Sequence, residues 1–97
     1  MLIMGYRITE RVQKIARDAI LHRQGSFSAL HIGREIKAHI RESKSAWRGM
    51  SVNDAAVAAA DALIWEQYRA GLVKPTGTWL GRQYWRVIDQ KAKRSQR

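Results

Sequence analysis

A mainly α domain closed by a C-terminal β-hairpin is what this sequence predicts, on three observations. Apolar residues recur at helical spacing in three separate stretches before residue 71. After Gly71 the composition turns to β-branched and aromatic residues punctuated by Gly and Pro. The chain has 97 residues and a hydrophobic fraction of 45%, enough for one core and too little for two.

The first helix is predicted over residues 8–23. Ile8, Val12, Ile15, Ala16, Ala19 and Ile20 fall on one face. Thr9 offers an N-cap, Glu10 sits at the positive end of the dipole, and Gly25 offers a stop. The second is predicted over 28–43, with Ser28 as N-cap, Phe27 and Ile32 as a hydrophobic staple, and Leu30, Gly33, Ile36 and Ile40 as the buried stripe. It should fade in the polar stretch from Ser43 to Ser45, and Trp47 to Met50 form a connector.

The third helix is predicted over 51–71. Ser51 followed by Asp54 is a short-acid capping box, and Val52, Ala56, Ala59, Ala60, Leu63, Ile64 and Tyr68 suit a helix packed closely on its neighbours. Gly71 supplies the stop. The hairpin then runs from Leu72 to Ile88, with Trp85 and Val87 turned inward and Trp79 exposed near the tip. Residues 1–88 read as one domain. The remaining 89–97, with four cations and no large apolar side chain, read as a solvated basic tail.

Eighteen Lys and Arg against eight Asp and Glu leave a formal charge of +10, so the partner should be anionic. The absence of Cys excludes disulfides, thiol nucleophiles and cysteine-type zinc sites. Arg7 and Glu10 interrupt the apolar start before a signal peptide could form, and no stretch approaches the roughly 20 apolar residues of a membrane span. A cytoplasmic protein with no membrane partner is expected. There is no Gly-rich phosphate loop, nucleophile elbow or paired-carboxylate arrangement, so neither an enzyme nor a cofactor is expected. His31, Glu35 and His39 recur every four residues, but no second ligand cluster accompanies them. They read as surface polar residues rather than a metal site.

Three helices followed by a hairpin, with the stretch from Ala62 to Val73 passing from helix into strand through Gly71 and Leu72, resembles the winged helix-turn-helix domain. The resemblance spans about residues 8–88 and names no subfamily. It implies a three-helix winged-helix-like domain with a major-groove helix at 51–71, a supporting helix at 28–43 and a wing tip at 75–82 against the backbone or minor groove. One departure stands out. Where a reading helix usually carries Arg, Lys, Asn, Gln, Ser or Thr, this one offers Ser51 and Asn53 but also Asp54 and Asp61, then mostly alanine.

The residues expected to touch nucleic acid fall into three groups. Arg34, Lys37, Arg41, Lys44 and Arg48 are spaced to form one basic stripe for as long as the second helix persists, which suits a phosphate track and equally a solvated helix face. Ser51 and Asn53 stand at the start of the third helix. Lys74, Arg82 and Arg86 are interleaved with Trp79, Tyr84 and Trp85 on the hairpin, a combination that can hold phosphates and stack on bases. Arg7, Arg11, Lys14 and Arg17 add charge to the first helix.

The expectation is a small DNA-binding regulator of the kind frequent in phages and mobile elements. The alternative is a protein-binding adaptor or inhibitor that uses the same scaffold against an acidic or nucleic-acid-associated partner, contacted through Trp65, Asp61 and Trp79, and RNA is a third partner class. Trp47 reads as a cover for the end of the helix pair and Trp65 as a core residue.

Overall fold

The computed structural model describes residues 1–40, 49 and 51–88. The chain begins with two short strands, β1 (Leu2–Ile3) and β2 (Tyr6–Arg7), paired antiparallel with Ile3 opposite Tyr6. Sequence periodicity gives no sign of them, because two-residue strands have none. They matter for the core all the same: Tyr6 and Ile8 are both buried, and the Ile8 N–H donates to the Met1 carbonyl at 2.8 Å. Ile8 therefore precedes the first helix instead of belonging to it.

That helix, α1, spans Glu10–Leu21. Thr9 caps it as expected, its hydroxyl accepting from the Val12 N–H at 3.3 Å. Val12, Ala16 and Ile20 are its buried residues. The helix ends at Leu21, short of residue 23, and Gly25 takes a positive φ of 75° in the turn that follows.

A third strand, β3 (Phe27–Ser28), lies just before α2 (Ala29–Ile36). Phe27, expected as a staple, is buried as a strand residue paired with Trp85. The second helix is shorter than predicted. After Ile36 the backbone tightens into a 3₁₀ turn over Lys37–His39, and Ile40 is extended at φ −94° and ψ 119°. Ile40 is nevertheless buried, which explains the overestimate: helical spacing of apolar residues persists one step beyond the helix itself. Leu30 is half-buried instead of joining the buried stripe.

The longest helix, α3, spans Val52–Arg69. The Ser51–Asp54 capping box forms as predicted, with the Asp54 N–H donating to the Ser51 hydroxyl and the Ser51 N–H to the Asp54 carboxylate, each at 3.2 Å. Its far end closes in a Schellman turn. The Gly71 N–H donates to the Tyr68 carbonyl and the Leu72 N–H to that of Gln67, with Gly71 at a φ of 78°. The hairpin of β4 (Val73–Trp79) and β5 (Arg82–Val87) follows directly.

The second sheet has the order β3-β5-β4, all antiparallel. Pro75 is accommodated because β4 is an edge strand, where a missing N–H breaks no ladder, and the register slips between Pro75 and Gly77. Among the described residues the architecture is thus mixed α/β: three α-helices, a small antiparallel sheet in which the C-terminal hairpin is joined by β3, and an N-terminal two-stranded ribbon. The core joins Val12, Ala16 and Ile20 of α1, Ile32 and Ile36 of α2, the alanine face of α3 with Leu63 and Ile64, and Phe27, Val73 and Trp85 from the sheet.

Gly33 sets how closely α2 approaches α3. A Cβ placed there would lie 3.0 Å from the Val57 Cα and Cγ2, so the two helices meet backbone to backbone. On the opposite side Arg17 of α1 grips Glu66 of α3, with Nε donating at 2.9 Å and the second guanidinium nitrogen at 3.2 Å. That hydrogen bond holds the Glu66 carboxyl below its ordinary pKa.

Candidate nucleic-acid interface

The exposed N-terminal half of α3 forms the floor of an open groove of about 860 Å³. Leu30 of α2 lines one side, Met4 of the N-terminal ribbon and Arg82 of the hairpin line others, and Asn53, Asp54 and Asp61 project from the floor. A smaller recess of about 240 Å³ adjoins it, where Arg34 and Lys37 meet Asn53 and Val57 over Gly33. Asn53 belongs to both depressions. Asn53 therefore lies between one recess lined by Arg34 of α2 and Lys37 of the 3₁₀ turn and another lined by Arg82 of the hairpin. Ser51 is exposed at the start of the same helix but is occupied with its own capping box.

Only the first two members of the basic stripe predicted along the second helix fall among the described residues. Arg34 lies on α2 and Lys37 on the 3₁₀ turn that follows it, and Ile40 is already extended. Arg41, Lys44 and Arg48, with Trp47, lie outside the described residues, as does the tail at 89–97.

Electrostatically the groove is mixed. Asp61 is pushed above the ordinary carboxylate pKa by desolvation, and it stands on the exposed face of α3. Among the titratable groups facing the groove, Asp54 shares its sign and Arg82 opposes it.

The hairpin carries a second cluster. Lys74 and Arg86 stand directly opposite each other, and along β5 Arg82, Tyr84 and Arg86 alternate outward while Trp85 turns in and is buried. Trp79 is 65% exposed, as expected, and its ring lies 6.4 Å from that of Tyr84. Val87, expected inside with Trp85, is half-buried.

Trp65 departs from expectation. It is 42% exposed, with edge contacts to Tyr68 at 5.5 Å and to Trp85 at 4.9 Å between ring centroids, so it shields the core from outside instead of filling it. Together with Asp61 one turn earlier it makes α3's solvent stripe acidic and aromatic.

Histidine 31 also has a role that the sequence reading missed. Its Nδ1 accepts the Ser28 N–H at 3.1 Å, closing a capping box at the start of α2. Serine followed three residues later by histidine is an unusual form of that signature, which hides it. Glu35 pairs with Arg23, and His39 sits on the 3₁₀ turn, so the three do not share one helical face. Among the described residues no group of three or more His, Asp or Glu is placed to hold a metal ion, and no helix is long and apolar enough to cross a membrane.

No family model, curated protein or solved structure matches this chain.

Proposed function

We propose that the chain is a winged-helix-type domain that binds duplex DNA, and that it serves as a small regulator. The observation that carries this reading is the convergence of Arg34 and Lys37 from one side and Arg82 from another on the exposed start of α3 at Asn53. In this reading the three cations neutralise phosphates on either side of the helix, and Asn53 is the side chain placed to reach a base edge. Lys74 and Arg86 extend the phosphate contacts along the hairpin. The formal charge of +10 supports the same class of partner.

The test is a titration with duplex DNA at several salt concentrations. Affinity should fall with a log–log slope of about 0.9 per phosphate neutralised, and Arg34→Ala, Lys37→Ala and Arg82→Ala should each reduce that slope by about 1 across all sequences. Asn53→Ala should instead change preference at one base position, by about 1–3 kcal/mol for a bidentate contact. Weak binding without salt dependence would overturn the proposal.

One observation favours a second reading. The solvent stripe of α3 presents Asp61, Trp65 and Tyr68, an arrangement suited to a basic protein partner anchored on aromatic rings. Trp79 would then be a further anchor on the hairpin. Loss of a captured partner in Trp65→Ala, with DNA binding absent in the parent protein, is the outcome that would favour this adaptor.

A further inference from the structure

The hairpin's outer face holds more than phosphate contacts require. Between residues 72 and 88 there are three cations, Lys74, Arg82 and Arg86, and no carboxylate at all. Register places Lys74 across from Arg86 and Trp79 across from Arg82, so the cations bracket the aromatic pair of Trp79 and Tyr84. On the β4 side Gly77 stands opposite Tyr84 and brings no side chain, so that side of the half-buried tyrosine is left to Trp79, while His31 packs against its ring at 6.2 Å between centroids. Ser26, Thr76 and Thr78 complete an open cleft of about 340 Å³ beside the two rings. Trp79 and Leu80 put two large apolar side chains into water at the tip, 65% and 83% exposed, where the fold gains nothing from them.

We infer that this face binds an unpaired nucleobase, stacked on Trp79 with Tyr84 as the second wall of the cleft and the flanking phosphates held by Arg82, Arg86 and Lys74. The preferred ligand is then DNA with a single-stranded segment adjoining the duplex. Stacking explains why aromatic rings, which contribute little to holding a phosphate, are interleaved with the cations, and the hydroxyls of the cleft offer hydrogen bonds to a base edge. The complementary charge selects a nucleic acid over an apolar peptide. This inference rests on the nucleic-acid reading above and adds a ligand class to it.

The experiment compares a blunt duplex with the same duplex carrying a short single-stranded thymine overhang, by fluorescence anisotropy at low salt. The overhang should bind tighter by about 5- to 150-fold, the range that stacking of one base supplies. Trp79→Ala should abolish that preference and leave affinity for the blunt duplex within about twofold, while Trp79→Phe should keep most of it. The side chain is exposed, so its removal leaves no cavity, and a thermal melt verifies the fold. Equal affinity for the two DNAs, or a preference that survives Trp79→Ala, overturns the inference while salt-dependent duplex binding still stands. Tight binding of the overhang alone upholds it and overturns the duplex reading. Binding of neither overturns both.

Discussion

Helix α3 and the β4–β5 hairpin are joined by a single Schellman turn, yet they divide the molecule's work differently. The helix buries Ala55, Ala56, Ala59, Ala60, Leu63 and Ile64, and most of its composition is dictated by the neighbours it must approach. The hairpin buries two residues, Val73 and Trp85, and leaves its outer face free of packing duties. The carboxylates Asp54 and Asp61 stand on the helix, while the hairpin has none. Where packing constrains a segment its surface chemistry is a compromise, and where it does not the surface is available for a partner. The hairpin is accordingly a better place to look for ligand contacts than α3.

If the hairpin is docked through so few side chains, each must carry a large share of its attachment. Trp85 lies opposite Phe27 and Pro75, touches Trp65 and Tyr68, and is 1% exposed. Trp85→Ala should cost about 3–5 kcal/mol, and Leu63→Ala in the helix about 2–5 kcal/mol. Against a total of about 5–15 kcal/mol for a native protein, both should lower the melting temperature strongly. An unchanged melt in Trp85→Ala would mean that the hairpin is not tied to the core through this ring. The Trp85 Nε1 has no hydrogen-bond partner among the described residues, so Trp85→Phe should be much milder, losing contact area but no bond.

The acidic side of the comparison can be tested at Asp61. Its carboxylate faces the groove, and at close range in water two like charges repel by about 1 kcal/mol. Asp61→Asn should therefore raise duplex affinity about fivefold at low salt. Burial raises the Asp61 pKa, so the carboxylate loses its charge sooner than an ordinary one as the pH falls. The gap between parent and variant should narrow through that titration. If the stripe serves a basic protein partner, the same substitution weakens binding instead.

The sequence made the capped and punctuated parts of this fold legible. Thr9, the Ser51–Asp54 pair and Gly71 mark their boundaries because capping chemistry is local and needs only neighbouring residues. The strand β3 and the ribbon β1–β2 were not legible, since each exists only through pairing with a partner far away or across a tight turn. The end of α2 was misplaced for a different reason: Ile40 is buried at helical spacing from Ile36 without being helical. At the candidate interface, Arg34, Lys37, Asn53 and Arg82 could be named from residue type, but their convergence required tertiary structure. Trp65 sits one step off the apolar stripe, and that small angular offset leaves it part-exposed.

The smallest effect sharpens the contrast between stability and ligand contact. The two-residue turns joining β1 to β2 and β4 to β5 both use an apolar residue followed by Gly at positive φ: Met4 and Gly5 at 53° and 83°, Leu80 and Gly81 at 51° and 73°. Such turns favour Asn-Gly, because a left-handed backbone crowds the Cβ of most L-residues. Met4 has a compensating role, since it lines the groove, whereas Leu80 is 83% exposed and packs on little. Leu80→Asn should stabilise the fold by about 0.5–1 kcal/mol by relieving the turn, a rise in melting temperature of a few degrees for a domain this small. If Leu80 is kept at the tip for contact with bases, the same variant should bind the overhang DNA more weakly while melting higher. A variant that melts higher and binds unchanged would confine the ligand face to Trp79 and Tyr84, and one that melts lower would show that the leucine is a packing residue after all.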